Sequence, residues 1–294
     1  MNPILLALPR DYSFELVLSF LQRSPHELLH RLDRDRVVKL VRFGVDPVLF
    51  EIRLHDPSSL AVKIVNGKPS KRITALVTNY VKEWLDLETD LEPFYRLAKK
   101  DDLLKPLIRK YYGYRIVGLP DLFESLVWAV LGQQINLSFA YKLKHRFVDH
   151  YGKSLEFQGQ RYHAFPNPET VSSIDPDQLL KLQFSRQKAS YSVGIAKAFM
   201  EGRISKEMLS GLPLNEAKEE LMKIKGVGNW TANYALMKTF HYPDAFPLED
   251  AGLHNAIKKQ LGLKAKPSLD RVKKLFRKYK GWEAYATLYL WKSL

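Results

Sequence analysis

The sequence predicts a mostly α-helical protein with a small N-terminal α/β domain, and three observations carry that prediction. Residues 1–85 hold short β-branched and apolar runs separated by turn residues. Beyond Pro93 the apolar positions recur at helical spacing, in segments opened by capping residues. The chain has 294 residues, 46% hydrophobic and 27% charged, which is enough for an ordinary globular interior divided into two or three subdomains.

In chain order, a helical stretch is expected near Phe14 to Gln22, followed by strand-like runs at Val37 to Phe43, Val48 to His55 and Leu60 to Val65. Asn66-Gly67 reads as a tight turn. Ile73, Leu76, Val77, Tyr80, Val81, Trp84 and Leu85 then repeat on one helical face. From Pro93 onward no strand is expected. Pro120-Asp121 with Glu124 makes a capping signature before the apolar face Leu122, Phe123, Leu126, Val127, Val130 and Leu131. Further helices are expected from about Ser138 to Tyr151, from Asp175-Pro176, and from Ser185 to Met200, where Gly202 ends the run. Asp250 opens a helix with Leu253, Ile257 and Leu261 turned inward, Ser268 caps Leu269 to Tyr279, and Gly281-Trp282 leads into the last helix. The expected domains are residues 1–85, a central helical domain over 115–235, and a second helical domain built from 86–114 and 236–294.

The formal charge of +14 marks a polyanionic or anionic-surface partner, although Lys-rich surfaces are often merely solvated. The absence of cysteine excludes disulfides, thiolate metal sites, a cysteine nucleophile and a cysteine-held iron–sulfur cluster. The N-terminus carries no basic leader, and its apolar stretch Tyr12 to Leu21 is interrupted by Glu15, so neither a signal peptide nor a membrane span is expected. The expected location is the cytoplasm. The eight histidines show no metal-ligand spacing, and His241 and His254 read as surface or packing residues.

The chemistry concentrates at Met222-Lys223-Ile224-Lys225-Gly226-Val227-Gly228-Asn229-Trp230-Thr231-Ala232-Asn233-Tyr234 and the later Phe246-Pro247-Leu248-Glu249-Asp250. A helix stopped by Gly226, with Gly228 turning the chain into a second helix, leaves the first N–H groups of that helix free for a phosphate. Such contacts grip nucleic acid without reading its sequence. A glycine-interrupted helix pair is by itself an ordinary connection, and Asp250 by itself is an ordinary N-cap. Trp230 and Tyr234, four residues apart, share a helix face. A carboxylate in the first helical turn suits a reaction that builds positive charge beside it, and a face-sharing aromatic pair suits a flat cationic ligand.

Together these segments resemble the helix-hairpin-helix plus Gly/Pro-Asp signature of DNA glycosylases, most closely the bacterial 3-methyladenine DNA glycosylases of the AlkA type. The likeness includes Leu119-Pro120-Asp121-Leu122-Phe123-Glu124, Val130-Leu131-Gly132-Gln133-Gln134 and the tail Tyr285 to Trp291, and it is strong from about residue 115 on. In the first hundred residues only the layout is similar. The resemblance implies the helix-hairpin-helix glycosylase fold, with Asp250 as the catalytic aspartate and Glu249 the competing carboxylate. It implies Trp230, Tyr234 and Trp291 as the base pocket, and Lys225, Gly226, Val227, Gly228 and Thr231 as the DNA-binding hairpin. It implies Gln134 as the wedge, where the AlkA-type enzyme has leucine, and a monovalent Na+ or K+ at the carbonyls of Met222, Ile224 and Gly226. No other cofactor is implied. Trp282, Tyr285 and Tyr289 are expected in packing, and basic runs such as Arg271 to Lys274 receive no assigned contact.

Two departures matter. Ala251 stands where the family has a tyrosine after the catalytic aspartate, which opens that side of the pocket. Trp230 stands where the strand-cutting branch has its Schiff-base lysine, and neither Lys238 nor Lys225 occupies that position, so monofunctional chemistry is expected. The implied partner is double-stranded DNA with a flipped damaged base, bound by a nucleoid-associated monomer that excises 3-methyladenine and 7-methylguanine type bases. Alternative readings are a glycosylase for oxidised guanine and a non-catalytic duplex binder.

Overall fold

A computed structural model describes residues 3–294. The N-terminal part runs β1 (Ile4–Ala7), α1 (Phe14–Leu21), β2 (Arg31–Asp33), β3 (Arg36–Phe43), β4 (Asp46–Asp56), β5 (Ser59–Ile64) and α2 (Lys71–Leu85). Its strands form one antiparallel sheet in the order β1-β5-β4-β3-β2. The short edge strands β1 and β2 escape the sequence reading because three or four residues carry too little pattern. A two-residue turn at Gly44 and Val45 joins β3 to β4, with Gly44 at φ 68°. Asn66 ends the last strand rather than forming a hairpin: its side chain accepts from Leu49 N and donates to Pro47 O, which swings the chain toward α2. Val37, Phe50, Ile52 and Val62 pack against Val17, Val77, Val81 and Trp84, the inward faces of α1 and α2.

The rest follows as α3 (Glu92–Ala98), α4 (Lys105–Lys110), α5 (Leu122–Gly132), α6 (Leu137–Tyr151), β6 (Lys153–Phe157), β7 (Gln160–Ala164), α7 (Pro168–Ser172), α8 (Pro176–Leu180), α9 (Arg186–Met200), α10 (Lys206–Leu209), α11 (Leu214–Met222), α12 (Asn229–Phe240), α13 (Ala251–Gln260), α14 (Leu269–Phe276) and α15 (Glu283–Lys292). The expectation of no strand after Pro93 is wrong. β6 and β7 form an antiparallel hairpin whose turn residues, Gln158 and Gly159, both have positive φ. Leu155, Phe157, Tyr162 and Ala164 lean on Val38, Leu40 and Leu49 of the N-terminal sheet, so this hairpin is held by a distant surface rather than by local preference.

The helix ends follow their caps. Asp121, Ser185, Asp250 and Ser268 each accept a backbone N–H in the first turn of the helix they open. α6 starts one residue before Ser138, because Asn136 is its cap, and α14 stops at Phe276 before a 3-10 turn at Arg277–Tyr279. The helices share one core running from Leu91 to Leu290, which holds Tyr285 and Tyr289, with Trp282 packed on its edge. Among the described residues no helix is long and apolar enough to cross a membrane.

Candidate active site

Three chain segments converge on Asp250: the start of α12, the start of α13 and the end of α15. As N-cap of α13, Asp250 accepts Leu253 N at 2.6 Å through Oδ1. The same oxygen accepts Trp291 Nε1 at 2.8 Å, and Oδ2 accepts Trp230 Nε1 at 3.0 Å. Three N–H donors thus converge on one half-buried carboxylate, a setting built for an anion. The capping and functional readings of Asp250 are therefore compatible, since one oxygen caps and both remain oriented by indoles. Glu249 points elsewhere. It is exposed, and both its oxygens accept Asn229 Nδ2, at 2.9 and 3.1 Å.

The loop that delivers Asp250 is tied to α12 by Asn233. Its Oδ1 accepts Phe246 N at 3.0 Å, and its Nδ2 donates to Asn229 O at 2.9 Å. Neither asparagine was singled out from the sequence. Their spacing of four residues on one helix face was the available signal.

Trp230, Tyr234 and Trp291 come together as an aromatic wall. Trp230 stacks on Tyr234 with centroids 5.3 Å apart and planes at 26°, and Tyr234 lies 6.3 Å from Trp291. The two indoles turn their N–H edges to the carboxylate, a role the sequence did not reveal. Tyr234 accepts Trp128 Nε1 at 2.9 Å, and burial pushes its hydroxyl up to about 12. Behind it a small cavity of about 40 Å³ separates α1 and β3 from α5, α6 and α12, and it is too small for a purine. Lys238 is buried two turns along α12 from Trp230, on the wall of that same cavity, where it donates to Val117 O. Ala251 is exposed at the mouth of the site.

The hairpin between α11 and α12 carries its open end outward. Gly228 is the N-cap of α12 and offers no side-chain acceptor, and its carbonyl accepts Ala232 N at 2.9 Å. The N–H groups of Asn229, Trp230 and Thr231 are the ones an N-terminus leaves for an outside acceptor. The two glycines are not equivalent. Gly226 has φ 95°, and a Cβ there would sit 2.3 Å from the Tyr191 ring. Gly228 has φ −89° and ψ −178°, which any residue adopts, and a Cβ there would meet nothing within 4 Å. The sequence reading credited Gly228 with the turn; the turn needs Gly226, while Gly228 keeps the approach clear. Lys225 is exposed, whereas Val227 and Thr231 bury their side chains and can reach a phosphate only through backbone.

Gln134 stands at the tip of the turn between α5 and α6, exposed and at φ 57°. Its neighbour Gln133 reaches the hairpin, donating from Nε2 to Gly226 O at 3.1 Å and Thr231 Oγ1 at 3.0 Å. Lys188 of α9 donates to Val130 O at 2.9 Å and Gln133 O at 2.6 Å, and burial pushes its amine down to about 8. Of the three carbonyls expected to hold a monovalent cation, Gly226 O accepts Gln133 and Ile224 O accepts Val227 N. Each of these oxygens keeps a second lone pair, and no step is routed through a cation there. Among the described residues no group of three or more His, Asp or Glu side chains is placed to hold a metal ion.

Residues 127–281 match the family described as HhH-GPD superfamily base excision DNA repair protein, and residues 32–126 match 8-oxoguanine DNA glycosylase, N-terminal domain. A DNA-3-methyladenine glycosylase of Bacillus subtilis is 38% identical over 99% of this chain and 97% of its own. DNA-3-methyladenine glycosylase 2 of Escherichia coli is 30% identical, covering 61% of this chain and 60% of its own. A solved 3-methyladenine DNA-glycosylase from Archaeoglobus fulgidus superposes with a TM-score of 0.85 over 98% of this chain and 97% of that one, at 24% identity. The chain belongs to the HhH-GPD superfamily of base excision DNA repair proteins and is a DNA glycosylase of that family.

Proposed function

We propose that this enzyme is a monofunctional glycosylase that hydrolyses the N-glycosidic bond of alkylated purines, of the 3-methyladenine and 7-methylguanine type, in duplex DNA. The observation that carries the reading is the Asp250 carboxylate held by two indole N–H groups whose ring faces form the adjoining wall. Alkylation at a ring nitrogen makes the purine cationic, so it is drawn to electron-rich aromatic faces and departs as a neutral base. As the C1′–N bond breaks, positive charge grows on the sugar, and a fixed anion beside it lowers the barrier. Water then forms the C1′–O bond and gives its proton to Asp250 or to solvent. Free N–H groups at the start of α12 suit a backbone phosphate on the flipped strand, and Gln134 suits the gap that the extruded nucleotide leaves. The names of the similar glycosylases of Bacillus subtilis and Escherichia coli support the alkylated substrate.

The match of residues 32–126 to an 8-oxoguanine glycosylase domain favours a second reading, excision of oxidised guanine. Trp230, and a Lys238 that is buried and committed to Val117 O, weigh against the lyase chemistry of a Schiff-base lysine. A non-catalytic binder would have no use for the convergent donors on Asp250. The test incubates purified protein with duplexes carrying alkylated purines or 8-oxoguanine, identifies the released bases, and adds borohydride during reaction. Release of alkylated bases with no trapped adduct and strand breaks only after alkali is expected. Efficient trapping, or release of 8-oxoguanine alone, overturns the assignment.

A further inference from the structure

We propose that Gln133 is a positioning residue that couples base extrusion to phosphate grip, by fixing the α5–α6 turn to the α11–α12 hairpin at one spacing. This rests on the glycosylase reading, since it presumes that Gln134 enters the duplex while the hairpin holds its backbone.

The joint has three members. Gln133 is the C-cap of α5, so its backbone sets where the next residue, Gln134, projects. Its side chain crosses to the hairpin and donates to Gly226 O and Thr231 Oγ1. A carbonyl oxygen only accepts, so the amide nitrogen must face Gly226, and the orientation of the side chain is settled by chemistry. Helix α9 supports both partners from below. Lys188 takes the carbonyls of Val130 and Gln133, holding the end of α5. One turn further along α9, the Tyr191 ring fills the space where Gly226 lacks a side chain. Gln133 closes the triangle between these two supports.

This geometry matters because the two contacts act on the same stretch of DNA. A wedge delivers force to a base pair only if the backbone beside it cannot slide away. Without the Gln133 bridge the hairpin can still bind phosphate, and Asp250 and its tryptophans are untouched. What weakens is the extrusion step, and only for bases that must be pulled from a stacked pair.

The test compares Gln133→Met, which keeps length and removes the donor, with Gln133→Glu, which sets a carboxylate oxygen against the Gly226 carbonyl. Thr231→Val, which removes one of the two acceptors, is a third variant should either fold poorly. Single-turnover excision of one alkylated purine is measured in a fully paired duplex and opposite an abasic site, beside titration of undamaged duplex and a thermal melt. The expected result for Gln133→Met is a loss of about tenfold or more on the paired lesion, with changes below about threefold on the unpaired lesion and in duplex binding. Gln133→Glu is expected to lose more and Thr231→Val less. Equal losses on both lesions, or no loss on the paired one, overturn the proposal and leave the glycosylase reading standing. A wild-type protein that releases no base from either duplex overturns both.

Discussion

At Asp250 one side chain meets two demands that a sequence cannot separate. A cap needs only the oxygen that accepts Leu253 N, and an asparagine serves that purpose. The indole donors of Trp230 and Trp291 serve the charge. Asp250→Asn is therefore expected to melt within a few degrees of wild type and to lose roughly a hundredfold or more in single-turnover excision. A well-folded variant that keeps its turnover removes Asp250 from the chemistry and makes Glu249 the candidate. The tryptophans allow a finer cut, because their faces and their N–H edges do different work. Trp291→Phe keeps an aromatic face and removes one donor from the carboxylate. Its excision rate is expected to drop about tenfold, the scale of one hydrogen bond to a charged group, with affinity for the damaged base little changed. Trp291→Ala removes stacking as well and should cost affinity too. If the Phe variant matches wild type in rate, Trp291 acts through its face alone.

At the level of elements, the hairpin shows why some of the site was legible and some was not. Gly226 and Asp250 sit in local patterns, a helix stop and a helix start, and local patterns survive in one dimension. The same holds for the caps at Asp121, Ser185 and Ser268. The link through Gln133, the Lys188 clamp and the indole edges on Asp250 join residues 20 to 98 positions apart, and nothing in spacing announces them. The β6–β7 hairpin was missed for the same reason, since its apolar side chains are satisfied by β3 and β4. The sequence makes Gly226 a helix stop and Gly228 the turn, and the fold moves the conformational demand to Gly226. Gly226→Ala would drive a Cβ into the Tyr191 ring while holding a non-glycine residue at positive φ, a cost of about 1–3 kcal/mol or more. Duplex binding should weaken with it as the hairpin shifts. Gly228→Ala meets open space in an ordinary conformation and should melt like wild type. Similar melting temperatures for the two variants would contradict the role given to Tyr191.

Across the whole molecule, the N-terminal sheet domain is fastened to the helices by buried charge as well as by apolar packing. Glu27 bonds Lys144 of α6 at 2.6 Å, and the buried Arg115 binds Asp11 at 3.0 Å. Lys39 of β3 donates to Leu29 O and lies over the Trp84 ring. His30 sits among them, with Nε2 against Leu21 O. Burial pushes its imidazole down to about 4 against the opposing pull of Glu27, and Lys39 and Lys144 push the same way as burial. Burial raises the Glu27 carboxyl, but Lys144 and His30 outweigh that and hold it at about 2. Both folded values lie below those of the unfolded chain, about 6.5 for histidine and 4.3 for glutamate. Unfolded chains therefore take up protons that the folded interface refuses, and stability is lost as pH falls. The loss from His30 belongs to the window from about pH 6.5 to 4, amounting to at most about 3 kcal/mol, and that from Glu27 follows below about pH 4.5. Above pH 7 neither group contributes a slope. Thermal melts of wild type and His30→Gln between pH 7.5 and 4.5 check this: the wild-type curve should fall more steeply, because glutamine has no proton to gain. Parallel curves would place the acid sensitivity elsewhere and leave His30 as a neutral packing residue at the domain boundary.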